Sequence, residues 1–527
     1  QANKHSMLYI CERFILRKGE IVRLSENIRV NSNITKGGNI MKKTWFVRVF
    51  AVISLISIMS LTTTCAPEQS TNLWGGDIDL FKAALEEAGF KVQEGAYGYQ
   101  DAIALCSAGI IDNCMGANVE APYLAYKLPP APGQKTPNMK VDPASDLAFA
   151  YPLRSDEAVV QIGLTPPDSA FFSYQSYLTM RYDPVLDRYM GFFNSIGDTI
   201  NNLTINTHNT EGNPFNQPVM IISTADKGTD KLVRAAAKSA GYPVDMINTD
   251  VIPLAAVNMG LEGNADLFGF VSRIAVPGDK TELDEYIANP GTVVLRLTPE
   301  KVATSEPFPV PALRVRGTGE TELDLLPAVE ELRQAILDRY KNLKSTEISA
   351  YVALPEGFNA IQSGINTIGD NRDAAYFSTV EVDAWTRPDD SRRNAGFTLP
   401  DSSEDFIIVY GVNHEATGKA MYANCVVYGL PYLNGVASVD SRTYKNSAGD
   451  YIPGHPQASY LYAWKIARNS HGDSHCLEVP VGPQRYGIGL DEKILLFFRA
   501  YLEEATKVGP AHNELIIDRV IIFSAGK

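Results

Sequence analysis

Three aspartates, Asp198, Asp226 and Asp250, are the residues whose type and spacing best suit acid–base or ligand chemistry in this sequence. Each lies at the end of a segment that reads as a β-strand. Because open α/β sheets place ligands at strand ends, we expect these carboxylates to share one polar site. The alternative interpretation is that each carboxylate caps the element that follows it.

His414 and Arg154 are the other candidates for a catalytic site. His414 opens a loop after an apolar strand, where functional side chains are common. With the aspartates, these residues would suit a hydrolase acting on glycans or peptides. The sequence has no HExxH, no GxSxG, no P-loop, no GxGxxG after a strand and no EF-hand loop. We therefore predict no metal and no cofactor, and no known catalytic motif supports the hydrolase.

Apolar periodicity predicts the elements that must position these side chains. Residues 77–145 read as a mostly helical segment ending in a proline-rich linker. Residues 146–303 contain two successive strand–helix–strand units, which predict an α/β layer of βαβ type, of which a ferredoxin-like layer is one form. Residues 304–400 contain a linker, an amphipathic helix and a strand, and residues 401–527 contain short strands separated by turn residues. The predicted fold class is α+β, with a β-rich antiparallel sheet or sandwich at the C-terminal end.

An export signal is predicted over residues 41–64. Met41 is followed by two lysines, and a short apolar run then precedes three threonines. The run is too short to span a bilayer as a permanent helix. Cys65, directly after these residues, resembles the lipobox cysteine of bacterial lipoproteins, although Thr64 stands where Gly, Ala or Ser is usual. The resemblance implies that Cys65 is acylated, becomes the mature N-terminus and begins a tether over residues 65–76.

Residues 1–40 precede this signal, although signal peptides lie at the N-terminus. Lys36-Gly37-Gly38 can be encoded by a ribosome-binding sequence that would lie a few nucleotides before the Met41 codon. We therefore expect synthesis to start at Met41. Residues 1–40 are then translated leader with no part in the fold.

Composition and charge restrict the partners. The apolar fraction of 45% and the charged fraction of 20% are those of a globular protein. The whole chain has 47 basic and 61 acidic residues, of which 10 basic and 3 acidic residues lie in the first 64 positions. The remaining chain has 37 basic and 58 acidic residues, a net charge of about −21. Because such a chain repels polyanions, nucleic acid is not expected as a partner.

Four cysteines of the exported chain suggest two disulfides. They are Cys106, Cys114, Cys425 and Cys476. Three pairings are possible. We expect Cys106 to pair with Cys114 across a short loop, and Cys425 to pair with Cys476 between two strands.

Two short strings resemble boxes of the type I signal peptidase family. They are Gly369-Asp370-Asn371-Arg372-Asp373 and Arg273-Ile274-Ala275-Val276-Pro277-Gly278-Asp279. Those enzymes use a serine in a Ser-Met-x-Pro context with a lysine as its base. The sequence lacks that context, and Ser272 stands where the lysine would precede Arg273. The alternative is that Asp370 and Asn371 form a turn while Arg372 pairs with an acid.

These observations predict compartment better than activity. We expect an extracytoplasmic protein of the bacterial envelope, lipid-anchored or secreted, that binds a small molecule, a glycan or an envelope protein. Clustered tyrosines, as at residues 171–182, could stack sugars, although packing within sheets is the favoured interpretation. The membrane, reached through the N-terminal lipid anchor, is the other expected partner, and the hydrolase is the alternative function.

Overall fold

The computed structural model of the chain describes residues 74–111, 113–142, 144–208, 212–302, 305–381, 395–482 and 485–525. Contacts divide the chain into two units, Gln1–Thr71 and Asn72–Lys527, and the elements below belong to the second. The expected leader, the signal segment and the acylated Cys65 lie outside the described residues. Within the described ranges, no helix is both long enough and apolar enough to cross a membrane.

The elements before residue 300 mix helices with many strands. The helices are α1 (Ile78–Glu87), α2 (Ala102–Ser107), α3 (Lys227–Ser239) and α4 (Lys280–Ala288). The strands are β1 (Phe90–Glu94), β2 (Ala96–Gln100), β3 (Tyr123–Lys127), β4 (Met139–Val141), β5 (Ala148–Ala150), β6 (Ala158–Leu164), β7 (Ser169–Asp183), β8 (Arg188–Ser195), β9 (Ile200–Asn201), β10 (Pro218–Thr224), β11 (Ile247–Val251), β12 (Leu267–Pro277) and β13 (Val293–Pro299).

The elements after residue 320 are richer in strand. The helices are α5 (Leu326–Arg339) and α6 (Gly357–Gln362). The strands are β14 (Lys344–Ile348), β15 (Tyr351–Val352), β16 (Ala374–Ser378), β17 (Phe406–Val412), β18 (Tyr422–Gly429), β19 (Asn434–Asp440), β20 (Leu461–Ala467), β21 (Cys476–Glu478), β22 (Ile494–Tyr501) and β23 (Arg519–Ser524).

The described strands form four large sheets, numbered I to IV. Sheet I has the order β1-β13-β6-β10-β11, and sheet II has the order β2-β3-β12-β7-β8, with β9 also paired to β7. Sheet III has the order β15-β16-β22-β18-β19, and sheet IV has the order β14-β23-β17-β20-β21. Most pairings are antiparallel, and β10–β11 and β20–β21 are parallel. Strands β4 and β5 form a separate small sheet.

Buried clusters show that the four sheets stack in the order I, II, III, IV. One apolar cluster fills the space between sheets I and II, a second lies between II and III, and a third lies between III and IV. Helices α1 and α3 cover the outer face of sheet I, and α5 covers the outer face of sheet IV. The fold is therefore a layered α+β arrangement in which sheets II and III meet at the centre.

Local sequence explains the helix at the start of this stack. The Asp77 side chain accepts hydrogen bonds from the backbone N–H groups of Asp79 and Leu80 at 2.9 and 3.1 Å, and so caps α1. Helical spacing then places Phe81 and Leu85 on the face that packs against sheet I. Capping and apolar periodicity together account for this helix.

Strand alternation decides which residues reach the interface between sheets II and III. On β22, Phe497 and Tyr501 belong to that interface, whereas Phe498 belongs to the interface with sheet IV. Arg499 shares the parity of Phe497 and therefore faces sheet II. By the same alternation Arg273 on β12 faces sheet III.

The ferredoxin-like layer is not confirmed, while the α+β class is. Strand β10, helix α3 and strand β11 form one parallel strand–helix–strand unit. Strands β12 and β13, which flank α4, lie in sheets II and I. The second expected strand–helix–strand unit is therefore split between two sheets. Local periodicity could not predict this, because it does not show which sheet a strand joins.

The expectation that residues 77–145 are mostly helical is wrong. This segment contains β1, β2, β3 and β4 beside its two short helices. Strand β1 pairs with the distant β13 in sheet I, and β3 pairs with β12 in sheet II. Pairing with strands far along the chain overrides the local helical interpretation.

Of the two expected cysteine pairs, one lies at disulfide distance. Cys106 and Cys114 are joined, with Cα atoms 5.2 Å apart. Cys425 and Cys476 are not joined. Cys425 lies in the cluster between sheets III and IV, whereas Cys476 packs with the cluster beneath α5 on the other face of sheet IV. Because side chains alternate along β21, Leu477 and not Cys476 faces the cluster that contains Cys425.

Candidate functional site

A cavity of about 150 Å³ lies between sheets II and III. Its lining is mainly apolar and aromatic, with two arginines and one lysine, and includes Leu105, Ile111, Tyr123, Lys140, Phe149, Phe193, Phe270, Arg273, Leu354, Tyr376, Tyr428, Phe497, Arg499 and Tyr501. A wider cleft of about 530 Å³ shares Ile111, Met115 and Phe193 with the cavity and therefore adjoins it. A concave, mostly apolar space with a few polar groups is the usual form of a small-molecule site.

One wall of the cavity consists of residues 102–111 and 113–117, which contain α2 and are cross-linked by the Cys106–Cys114 disulfide. The Cys114 backbone N–H donates to the carbonyl of Tyr432 at 2.8 Å, and the Gly116 N–H donates to the carbonyl of Leu433 at 3.1 Å. These acceptors lie on the turn between β18 and β19. The wall therefore begins beside sheet II and is fastened to sheet III.

Arg273 enters the site from sheet II and is only 3% exposed. Its Nη2 donates to the carbonyl of Gly369 at 2.7 Å, and its Nη1 donates to the Tyr177 hydroxyl. The guanidinium also lies 5.3 Å from the ring centre of Tyr177 and 5.5 Å from that of Tyr123. Neutral oxygens and aromatic faces therefore hold this charge.

Arg499 enters from sheet III and is 7% exposed. Its Nη2 donates to the Tyr428 hydroxyl at 2.7 Å and to the carbonyl of Gly116 at 3.2 Å. Its guanidinium lies 4.6 Å from the ring centre of Phe497. Among the described residues, the buried Nη1 has no hydrogen-bond partner. Arg499 therefore keeps unused donors at the cavity.

Neither arginine forms an ion pair with a carboxylate among the residues that the structure describes. In the part of the chain that the structure describes, no Asp or Glu oxygen lies within the 4.0 Å ion-pair distance of either guanidinium. Burial raises the pKa of Tyr376, Tyr428 and Tyr501, so these neighbouring hydroxyls stay neutral at pH 7. The cavity therefore carries two buried positive charges with no ion-paired anion.

Other buried arginines of this chain are satisfied differently. Arg296, which is fully buried, contacts the Glu157 carboxylate at 3.0 Å. Arg468 forms no ion pair with any described carboxylate, but each of its three guanidinium nitrogens donates to backbone carbonyls. Arg499 shows neither arrangement, which marks it as unusual within its own fold.

Glu120 is an acid near Arg499 that does not reach ion-pair distance. Its carboxylate accepts a hydrogen bond from the Asn424 amide at 3.0 Å. Burial raises the pKa of Glu120 to about 7, against the smaller lowering effects of Asn424 and Arg499. At pH 7 the carboxyl is therefore about half protonated and gives Arg499 little compensation.

Asp198, a predicted site residue, lies in a group of ion pairs away from the lining of the cavity. Its carboxylate accepts from Arg372 Nε at 2.7 Å and from the backbone N–H of Arg314 at 2.6 Å. Arg372 also pairs with Glu356, which in turn accepts from Arg316 at 2.7 Å. The string around Arg372 thus pairs with acids, as the alternative to the peptidase resemblance expected.

Asp226 and Asp250 are also engaged in local structure. Asp226 accepts from the Thr229 N–H at 2.8 Å and is the N-cap of α3. Asp250 lies buried between sheets I and II, where it accepts from Ser223 Oγ at 2.7 Å and from Ser176. Among the described contacts the three aspartates share no partner. The capping interpretation applies to Asp226.

His414 and Arg154 are likewise paired. His414 Nδ1 lies 2.9 Å from the Glu322 carboxylate, and although burial alone would lower its pKa, this carboxylate raises it to about 10. The imidazolium is therefore protonated at pH 7 and is a poor general base. Arg154 donates to Asp156 at 2.6 and 2.7 Å. The structure does not bring these residues to the aspartates.

Sequence reasoning missed the two cavity arginines as a pair. Arg273 and Arg499 each stand alone in an otherwise apolar strand, LFGFVSRIAVP and ILLFFRAY. That isolation was a signal of burial. This pattern alone could not identify Arg273 and Arg499 as site residues, because Arg296 in VVLRLTP shows the same pattern and is paired with an acid.

No family model and no curated protein matches the sequence. Among solved structures, the chain is similar to the VPA0106 protein of Vibrio parahaemolyticus, at 11% identity over 85% of this chain and 97% of that chain, with a TM-score of 0.35. It is also similar to an uncharacterised protein from Burkholderia cenocepacia, at 10% identity over 84% of this chain and 86% of that chain, with a TM-score of 0.34. Both similarities are too weak to carry an argument, and they place the chain in no family.

Proposed function

We propose that this protein is exported, is held to the bacterial envelope by an acyl group on Cys65, and binds a small molecule between sheets II and III. The observation that carries the binding role is the aromatic cavity with two buried guanidiniums. The signal-like segment at residues 41–64 supports export, and its lipobox-like end supports the anchor.

The contacts of the predicted acidic residues favour binding over hydrolysis. A hydrolase of the expected kind needs carboxylates that converge on a substrate. Asp198 is ion-paired, Asp226 caps a helix, and Asp250 is buried between two sheets. His414 is paired with Glu322. Binding requires only the cavity and its polar groups.

A thermal-shift experiment on the full chain in detergent tests the binding role. A ligand that binds only the folded state raises the melting temperature in a saturable way. The panel contains apolar organic acids, their amides and short oligosaccharides. Leu354 lines the cavity, so the larger side chain of Leu354→Trp should fill the cavity and abolish the ligand-induced rise in melting temperature. Leu186→Trp, on an exposed turn, should show the same rise as the wild type. No shift with any compound would contradict the role.

A labelling experiment tests the anchor separately. Cells that express the full chain are fed a clickable palmitate analogue. Wild-type protein should incorporate the label, and Cys65→Ser should not. The control is Cys476→Ser, which should be labelled like the wild type. Equal labelling of Cys65→Ser and wild type would exclude Cys65 as the acylated residue.

A further inference from the structure

We propose that the ligand of this cavity is an organic carboxylate with an apolar body about the size of one aromatic ring, bound through Arg499 with Arg273 nearby. This inference rests on the proposed binding function and specifies its ligand. It depends on charge, on unused donors and on the size of the cavity. Each of these comes from a different observation.

Two buried cations, Arg273 and Arg499, share one set of aromatic neighbours. Tyr123, Tyr376 and Tyr501 interact electrostatically with both guanidiniums, so Arg273 and Arg499 act on the same small region. Guanidiniums remain protonated in proteins. With no carboxylate at ion-pair distance in the described chain, the region has an excess positive charge that an anionic ligand would compensate.

The N–H groups of Arg499 that lack a described acceptor identify where the anion would bind. The Nη2 atom of Arg499 is occupied by Tyr428 and Gly116, while its Nη1 is buried without a described partner. An unsatisfied buried donor costs free energy, and a ligand oxygen that accepts from it recovers that cost. A carboxylate oxygen that accepts from Nη1 of Arg499 forms a charge-assisted hydrogen bond, which is stronger than a bond between neutral groups.

The size and lining argue for an apolar body. An apolar cavity of about 150 Å³ in another protein binds benzene, so the present volume of about 150 Å³ suits one ring. Phe193 and Phe497 supply aromatic surface for such a ring. A free inorganic anion would leave this surface uncovered, which makes an organic anion the better match.

Isothermal titration of the full chain in detergent compares benzoate with benzamide, which has nearly the same shape and no charge. We expect benzoate to bind at least tenfold more tightly than benzamide, and benzylamine and inorganic phosphate to bind more weakly still. Equal or tighter binding of benzamide would overturn the carboxylate assignment while leaving the binding role intact. Binding of none of the four compounds, nor of any compound in the thermal-shift panel, would contradict the binding role itself.

Variants test whether Arg499 serves the ligand or the fold. Arg499→Met keeps the length of the side chain and removes its charge. We expect at least a tenfold loss of benzoate affinity, no preference over benzamide, and an unliganded melting temperature equal to or above that of the wild type. The control Arg442→Met, on an exposed loop, should change neither the benzoate affinity nor the melting temperature. If Arg499→Met melts well below the wild type and Arg499→Lys still binds benzoate like the wild type, Arg499 is structural and the proposal is wrong.

Discussion

Arg273 and Arg499 stand on facing strands of two different sheets, are both almost fully buried, and have Tyr123, Tyr376 and Tyr501 as common neighbours. Two like charges brought to one apolar region oppose folding unless something compensates them. Aromatic faces and carbonyls supply part of that compensation. The proposed anionic ligand would supply the rest of the compensation for these two positive charges.

The disulfide that closes the cavity wall should contribute measurable stability. Replacing Cys106 and Cys114 by Ser in one variant should lower the unfolding free energy by about 2 to 3 kcal/mol, because the closed loop restricts the unfolded chain. Urea denaturation with and without reductant measures this loss. Reductant should shift the midpoint of the wild type but not that of the double variant. An unchanged wild-type midpoint would show that the bond contributes nothing.

Asp198 should prove structural. Asp198→Ala leaves Arg372 without one of its two acidic partners, and breaking a buried ion pair costs about 3 kcal/mol. Asp226→Ala, which removes only a helix cap, should cost about 1 kcal/mol. Denaturant midpoints measure both losses. A stable Asp198→Ala protein that loses a hydrolytic activity would instead support the rival enzyme function.

Glu120 should make stability depend on pH. Its pKa is about 7 in the folded protein against an ordinary value of 4.5, so between these values the folded state holds a proton that the unfolded chain has lost. Stability therefore falls as the pH rises from 4.5 to 7 and stays reduced above 7. Glu120→Gln should stabilise the protein by about 1 to 2 kcal/mol more at pH 8 than at pH 5. Denaturant unfolding measures this difference. Equal stabilisation by Glu120→Gln at pH 5 and pH 8 would refute the raised pKa of Glu120.

His414 should remain protonated throughout the neutral range. With its pKa raised to about 10 by Glu322, its ring proton resonances should not titrate between pH 6 and 8 in an NMR experiment. A raised histidine pKa stabilises the fold below about pH 6.5, and the contribution is lost as the pH rises toward 10. Glu322→Gln should therefore destabilise the protein more at pH 6 than at pH 9.5. A midpoint of titration near 6.5 in the wild type would contradict the pairing.

Much of the local structure was predictable from the sequence. Strand–helix–strand units were predicted within residues 146–303, and β10, α3 and β11 form one such unit. The short loop between Cys106 and Cys114 correctly suggested their pairing. These features depend on neighbours in sequence, where periodicity and capping decide the outcome.

The site was not predictable, because it depends on how sheets stack. Sequence reasoning chose Asp250 for its position at a strand end, but packing of sheet I on sheet II buries it against Ser176 and Ser223. Nothing local shows that Arg273 and Arg499, far apart in the chain, face one cavity. Nor does local pattern show that Cys425 and Cys476 lie on different sides of sheet IV.

A crystal structure of the full chain grown with benzoate is the most direct test of the central claim. The account predicts density for a carboxylate at Nη1 of Arg499 and for a ring beside Phe497, between sheets II and III. Density for benzoate only outside the cavity, or an acidic side chain occupying Nη1 of Arg499, would contradict it.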